Sequence, residues 1–295
     1  MMNFGKVLTA MVTPFDEQGN INWEQTTNLV EHLLATGTDG LVVSGTTGES
    51  PTLTEDEKID LFKHVVQIVN KRVPVIAGTG SYNTKASIDL TKKAEDCGVD
   101  GIMLVNPYYN KPNQSGLYEH FKAIAMETTL PVMLYNIPSR SAVKMDAETI
   151  IQLSQLDNIV SVKEASGDLD QVAEIIEKTD DQFTVYSGDD SSALPILAIG
   201  GDGVVSVASH IIGSDMQAMV KAFDAGDVQK AAAIHRQLLP MMKGLFQAPS
   251  PAPVKAALRL KGINVGSVRL PLVDLTEEET AVLHNLMKQT ELVEN

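Results

Sequence analysis

The chain has 295 residues, a length that a single large α/β barrel domain can occupy, and 43% of them are hydrophobic, which is ample for a core. The formal net charge is −15. A chain this acidic repels phosphate backbones and anionic lipid surfaces, which argues against nucleic-acid binding and against membrane-surface binding.

The cysteine count and the apolar segments indicate a cytoplasmic protein. Cys97 is the one cysteine, so an internal disulfide is excluded and a reducing compartment is favoured. The first 15 residues lack a basic leader and an apolar run long enough for a signal peptide. The most apolar region, residues 193–213, is interrupted by the glycine-rich residues 200–203 and predicts buried core rather than a membrane span.

Eight short apolar runs of β-forming residues recur at intervals of 20 to 34 residues, with amphipathic helical segments between them. They begin near Lys6, Gly40, Val73, Gly101, Pro131, Ile159, Phe183 and Gly203. Strands that alternate with helices predict parallel βαβ units, and eight such units close most simply into a (β/α)8 TIM barrel. A doubly wound open sheet is the competitor, but no GxGxxG follows the first run.

Helix signals support this reading and mark a change after residue 226. Residues 54–57, TEDE, form a capping box, and the helical segment 84–97 stops at a glycine. Beyond residue 226 three helical segments follow without another strand, at 227–246, 253–261 and 276–289. The sequence therefore predicts a barrel over residues 1–226 and a C-terminal helical unit over residues 227–295.

The sixth run, IVSVK, ends in a lysine. Alternate residues of a barrel strand face the interior, and Val160 and Val162 suit the side that packs on the helices. Ile159, Ser161 and Lys163 are then predicted to point inward. Lys163 is the last of these, at the C-terminal mouth where barrel enzymes carry their active sites.

A lysine at the mouth of a barrel can serve as a nucleophile. Desolvation disfavours the ammonium and lowers its pKa from about 10.4, and the neutral amine can form a Schiff base with a carbonyl. The alternative is a lysine that snorkels to the rim without chemical use, and strand parity leaves both open. A salt bridge to Glu164 is disfavoured because adjacent strand residues point to opposite faces. The same alternation brings Tyr135 and Thr46 towards the mouth.

Eight motifs in order carry a family resemblance: AMVTPF, GTTGES, IAGTGSYNT, PYYNKPNQSGLYEHF, LYNIPSR, VKEASGD, SGDDS and PVKAAL. With them the chain resembles the dihydrodipicolinate synthases, in the pyruvate-dependent class I aldolase group that includes N-acetylneuraminate lyase. The resemblance covers nearly the whole chain. It implies condensation of pyruvate with L-aspartate 4-semialdehyde through a lysine Schiff base, giving 4-hydroxy-tetrahydrodipicolinate for diaminopimelate and lysine biosynthesis.

The resemblance also implies the catalytic roles. Lys163 is similar to the lysine that forms the Schiff base, and Tyr135 to the general acid and base. Thr46 resembles the threonine that relays protons to this tyrosine, and Tyr109 the tyrosine that a neighbouring subunit inserts. Without the resemblance, the tyrosines could be buried aromatic wedges, and Thr46 a helix cap, although its distance from the helix disfavours a cap.

Substrate-binding positions follow from the same resemblance. Thr47 matches a residue that holds the pyruvate carboxylate, and Gly188 and Val205 match main-chain positions that line the pocket. Arg140 resembles an arginine that binds the carboxylate of the semialdehyde, for which a guanidinium is well shaped. The alternative for Arg140 is a surface ion pair with an acid such as Asp146.

No cofactor is implied, because a protonated imine is itself the electron sink, and the six histidines form no compact metal-ligand pair. The role of Tyr109 requires at least a homodimer, and a homotetramer stays open. In relatives that lysine inhibits, histidines are expected near Glu55 and Lys58, an asparagine near Tyr82 and a glutamate near Ala86. None is present, so weak or absent lysine inhibition is predicted.

Three other functions compete with this one. A lyase of a 2-keto-3-deoxy sugar acid or of N-acetylneuraminate shares the Schiff-base chemistry, and Arg140 argues against it. A catalytically silent scaffold barrel is disfavoured by the intact set of candidate residues. A phosphate-binding barrel isomerase would use the loops after the seventh and eighth runs, where Asp189 and Asp190 would repel a phosphate.

Overall fold

The computed structural model describes residues 4–290. Residues 1–3, at the start of the segment that was predicted to lack a leader, lie outside the described residues, as do residues 291–295 of the predicted C-terminal unit. Eight parallel strands pair in chain order and close into a barrel, with β8 hydrogen-bonded to β1. The strands are β1 Val7–Ala10, β2 Gly40–Val43, β3 Val75–Gly78, β4 Gly101–Val105, β5 Val132–Asn136, β6 Ile159–Glu164, β7 Thr184–Ser187 and β8 Gly203–Ser206. The predicted (β/α)8 barrel is confirmed, and the open-sheet alternative is wrong.

Helices follow the strands, and several of them start at side-chain caps. Through β8 they are α1 Trp23–Ala35, α2 Glu55–Val69, α3 Thr84–Asp96, α4 Gln114–Ala125, α5 Pro138–Ser141, α6 Ala147–Leu153, α7 Leu169–Lys178 and α8 Ala193–Ala198. The predicted capping box at the start of α2 is present, with Thr54 and Glu57 bonding to each other's backbone N–H groups. Asn22, Asn83 and Asn113 cap α1, α3 and α4, so polar residues in the loops set where these helices begin.

Four helices follow β8: α9 Ser209–Asp224, α10 Val228–Gly244, α11 Ala252–Leu260 and α12 Glu277–Gln289. The last three match the predicted C-terminal helices to within two residues, and Thr276 forms the predicted capping box of α12. Helix α10 packs along α9, the helix that completes the barrel, and α11 also contacts α9. The boundary after residue 226 stays a prediction.

The hydrophobic core has two layers. The barrel interior is filled by one cluster that includes Leu8, Val42, Met133 and Tyr186, and the larger cluster lies between the strands and the helices. The hydroxyl of Tyr186 donates to the carbonyl of Gly5 at 2.9 Å. Because side chains fill the interior, the barrel is a packed core and the loops at its mouth are left to form a site.

The predicted alternation of β6 is correct at its end and wrong at its start. Ser161 and Lys163 pair with Met133 and Tyr135 of β5, whose side chains belong to the interior cluster. Ile159 instead packs with the outer layer, and Val160 contacts the interior. The reason is a bulge, since Val132 pairs with Ile159 and the next residue of β5 pairs with Ser161, so one extra residue shifts the parity.

The apolar region 193–213 divides among α8, β8 and the start of α9. Within residues 4–290, every helix is too short or too polar to span a bilayer.

Candidate active site

Lys163 lies at the end of β6 and is 5% exposed. Its Nζ sits 4.2 Å from the centroid of the Tyr135 ring, on the paired strand β5. Burial lowers the pKa of Lys163 to about 8; the carboxylate of Asp190 opposes this shift, and the guanidinium of Arg140 adds to it. About a tenth of the amine is therefore neutral at pH 7, against about one in a few thousand for an ordinary lysine.

Tyr135 is buried beside this amine and keeps its proton. Its burial raises the pKa of the phenol to about 12, while the charge of Arg140 and a hydrogen bond with Thr46 act in the opposite direction. At neutral pH the hydroxyl is a proton donor that is hydrogen-bonded to a second hydroxyl. The pair Lys163 and Tyr135 thus combines a partly neutral amine with a protonated phenol.

Asn136 and Glu164, which follow Tyr135 and Lys163 on β5 and β6, point away from the barrel interior and fix the strand ends. Glu164 accepts hydrogen bonds from the side chains of Asn136 at 2.9 Å and Gln171 at 3.2 Å, and from the N–H of Ser166 at 2.7 Å. Burial raises the pKa of Glu164, and these bonds oppose the shift. Glu164 therefore makes no ion pair with Lys163 within the described chain, as the alternation predicted.

A cavity of about 270 Å³ opens at the mouth of the barrel. Thr46, Tyr135 and Arg140 contribute to its wall, so the structure brings these three predicted residues together. Its wall also includes Ser44, Ser50, Lys58, Gly80, Met103, Tyr108 and Ile137. No ion pair joins Arg140 to a carboxylate within residues 4–290, so the alternative of a pair with Asp146 is wrong.

Gly188 packs against the side chain of Lys163. A Cβ on Gly188 would lie 2.6 Å from the Cβ of Ala165 and 3.2 Å from the Cε of Lys163, so a glycine is required by close approach. Its N–H donates to the carbonyl of Glu164 at 2.7 Å. Thr47 is buried in the loop after β2, and the side chain of Val205 belongs to the barrel interior.

Tyr109 lies apart from this group, with 89% of its surface exposed. The neighbouring Tyr108 lines the cavity instead, and its ring meets the ring of Tyr82 edge to face, with centroids 5.2 Å apart. A side chain as exposed as Tyr109 is available to a second molecule and contributes nothing to the cavity of its own chain.

The sequence treated Asp190 only as part of an acidic loop, whereas the structure buries it. Its carboxylate accepts hydrogen bonds from the hydroxyl of Ser206 and from the N–H groups of Val207 at 3.2 Å and Ala208 at 2.9 Å. Burial raises the pKa of Asp190, and these bonds oppose the shift. The signal available in the sequence was its place directly after β7, near the mouth.

Across residues 4–290, His, Cys, Asp and Glu side chains do not assemble in groups of three or more that could hold a metal ion.

A closed parallel barrel with a desolvated lysine and a protonated tyrosine at its mouth is the arrangement expected of an aldolase-type barrel enzyme. Comparison with known proteins gives the family. The model of the dihydrodipicolinate synthetase family matches residues 3–290. The chain belongs to this family.

Individual relatives agree. The chain is 66% identical to 4-hydroxy-tetrahydrodipicolinate synthase 1 of Halalkalibacterium halodurans, with 94% of each chain covered. It is 60% identical to 4-hydroxy-tetrahydrodipicolinate synthase of Bacillus subtilis, over 98% of this chain and 100% of the relative. The crystal structure of dihydrodipicolinate synthase DapA-2 of Bacillus anthracis superposes with a TM-score of 0.96 at 59% identity, covering 98% of this chain and 99% of that one. The predicted synthase activity is confirmed over the sugar-acid lyase alternative.

Proposed function

We propose that Lys163 carries the condensation of pyruvate with L-aspartate 4-semialdehyde. The observation that supports this most directly is the burial of the amine against Tyr135, which lowers the pKa of Lys163 to about 8. The amine attacks the keto carbon of pyruvate, and loss of water gives a protonated imine. Loss of a methyl proton gives an enamine, whose carbon attacks the aldehyde. The amino group of the semialdehyde then displaces Lys163 and closes the ring. One water is released overall.

Tyr135 is assigned the proton transfers, with Thr46 as its partner. A phenol with a pKa raised to about 12 holds its proton at neutral pH and can pass it to the carbinolamine oxygen. The hydrogen bond with Thr46 gives that proton a route to a second hydroxyl. Tyr109 is proposed to extend the relay from a neighbouring subunit, which its exposure permits.

The substrate contacts are proposed in the same way. Arg140 lines the cavity without a carboxylate partner in the described chain, so its guanidinium is free to bind the carboxylate of the semialdehyde. Thr47 is assigned to the pyruvate carboxylate. Gly188 and Val205 are assigned to the pocket wall by main-chain position, and the close approach of Gly188 to Lys163 supports its assignment. We propose a cytoplasmic homo-oligomer, at least a dimer, that needs no metal or organic cofactor.

Borohydride trapping with pyruvate tests the proposal. Intact mass and peptide mapping are expected to find a pyruvate-sized adduct on Lys163 of the wild type and none on Lys163→Ala. The exposed Lys221 of α9 supplies the control variant Lys221→Ala, whereas Lys255 is unsuitable because it is fully buried. An active, folded wild type that gives no adduct would refute the Schiff-base assignment.

A further inference from the structure

A buried ion pair joins the loop after β2 to the C-terminal helices. Glu49, in that loop, and Lys255, on α11, are 2% and 0% exposed, and the Nζ of Lys255 lies 2.7 Å from Oε1 of Glu49. Burial lowers the pKa of Lys255 to about 8, and the charge of Glu49 opposes the shift. The free-energy cost of desolvating two charges offsets much of the attraction between them, so the ion pair contributes little net stability to the fold.

Glu49 belongs to the same short loop as Thr46 and Thr47. Its N–H donates to the carbonyl of Thr46 at 3.1 Å, so the two residues close one turn. The backbone of Glu49 has φ +57, a left-handed conformation that a residue with a side chain adopts only when its surroundings hold it. The position of Thr46 therefore depends on what holds Glu49.

The C-terminal segment holds Glu49 from two sides. Lys255 contacts one carboxylate oxygen, and the N–H of Arg269 donates to the other at 2.8 Å. Lys255 is itself fixed, since its Nζ also donates to the carbonyl of Ser267 at 2.7 Å and lies 4.2 Å from the centroid of the Phe15 ring. Each oxygen of the carboxylate thus has a partner from residues 255–269.

Arg269 ties the end of the same loop. Its guanidinium donates to the carbonyl of Thr52 at 2.8 Å and stacks 4.3 Å from the centroid of the Phe15 ring. The loop that carries Thr46 is therefore fixed at Glu49 and again at Thr52 by residues far away in the sequence.

We propose that Glu49 and Lys255 are positioning residues that hold Thr46 in hydrogen-bonding reach of Tyr135, so that the C-terminal helices complete the active site. This inference rests on the proposed role of Thr46 in the proton relay. A displacement of about 1 Å in a reacting geometry can cost on the order of 100-fold in rate. The ion pair acts through Thr46 and touches no reacting atom.

A double-mutant cycle between Lys255→Met and Thr46→Val tests the coupling. We expect Lys255→Met to lower kcat about 10- to 100-fold, measured where circular dichroism reports a folded chain. In the Thr46→Val background the same change is expected to lower kcat less than about 2-fold further, because the hydroxyl it positions is already gone. If Lys255→Met does not fold, the neutral pair Glu49→Gln, Lys255→Met carries the same test.

Leu283→Ala is the control for stability alone, because Leu283 is a buried residue of α12 that is distant in sequence from the loop and outside the proposed site. It is expected to lower Tm while keeping kcat. Full kcat in Lys255→Met beside an impaired Thr46→Val, or equal losses in both backgrounds, refutes the positioning role alone. Full kcat in Thr46→Val refutes instead the proposed role of Thr46.

Discussion

The lowered pKa of Lys163 comes from the burial of its amine. A lysine at a strand end in water is an ammonium, and the same residue at the mouth of this barrel has its pKa lowered to about 8 by desolvation. The lowered value costs roughly 3 kcal/mol of differential interaction, which the packed barrel has to offset. The neighbouring phenol shifts the other way for the same reason, because burial disfavours the charged form of either group.

The rate of imine formation is expected to follow the pKa of Lys163. The neutral fraction rises tenfold per pH unit below about 8 and levels off above it. Because the guanidinium of Arg140 contributes to the lowered pKa, Arg140→Gln is expected to move the bend of the profile to higher pH. The measurement is the pH dependence of borohydride-trappable imine formation with pyruvate alone, which does not use the semialdehyde.

Arg236→Gln supplies the matched control, because Arg236 is an exposed arginine on α10. Its profile should coincide with that of the wild type. A wild-type rate that keeps rising to about pH 10.4, the ordinary value for lysine, would contradict the assignment of a desolvated amine.

At the scale of elements, the ends of β5 and β6 place successive residues on opposite faces of the sheet. Tyr135 and Lys163 point into the barrel, and their successors Asn136 and Glu164 point outward and bond to each other at 2.9 Å. The outward pair fixes the register of β5 and β6 directly beside the inward pair. Lys163 and Tyr135, the two central residues of the proposed mechanism, are therefore held by strands and not by loops.

The loops after β6 and β7 approach too closely to admit another methyl group. Gly188→Ala is expected to lower the free energy of unfolding by about 1 to 3 kcal/mol and to reduce activity, because its Cβ would meet Ala165 at 2.6 Å and Lys163 at 3.2 Å. Urea unfolding and kcat measure the two effects.

The double variant Ala165→Gly, Gly188→Ala separates the two contacts. Removing the Cβ of Ala165 should return part of the lost stability, whereas the contact with the Cε of Lys163 remains and activity should stay reduced. If Gly188→Ala were as stable and active as the wild type, the close packing around Lys163 would not be a constraint on the site.

At the scale of the whole molecule, Tyr109 stands out among the residues that the family resemblance assigns to catalysis. Its side chain is the most exposed aromatic side chain of the described chain. An 89% exposed phenol is poorly placed to act on its own Lys163, and a neighbouring subunit is the arrangement that would use it. The proposed oligomer is therefore part of the catalytic proposal.

Mixed oligomers test that arrangement. Lys163→Ala and Tyr109→Phe are each expected to lose activity, by about 100-fold or more for the second. A purified heterodimer of the two should regain about one of two sites, because the intact Lys163 receives the intact Tyr109 of the other subunit. The measurement is kcat of a doubly tagged heterodimer, and a heterodimer no more active than its parents would place Tyr109 in the site of its own chain.

Binding of free lysine is expected to be weak or absent. Lys58, Ser50 and Tyr108 all line the cavity, and the carboxylate of Glu55 pairs with Lys93. A second ammonium brought to that wall meets like charge, which disfavours binding. Isothermal titration should give no saturable heat at micromolar lysine, and a micromolar Kd would overturn the prediction.

Much of this architecture was predictable from local pattern. Eight apolar runs, the capping boxes at Thr54 and Thr276 and the glycine stop after α3 determine elements one at a time, and each depends on neighbours in the sequence. The predicted alternation of inward and outward residues in β6 was wrong only at Ile159 and Val160, because a bulge depends on the partner strand.

By itself the sequence determined the eight strands, the barrel and the identity of the candidate residues, since hydrophobic periodicity and motif order are properties of short segments. Only the tertiary structure decided the burial of Asp190, the close packing of Gly188 on Lys163 and the joining of Glu49 to Lys255. These are contacts between segments distant in the chain. Their energies come from desolvation and packing in a closed barrel, which no local pattern encodes.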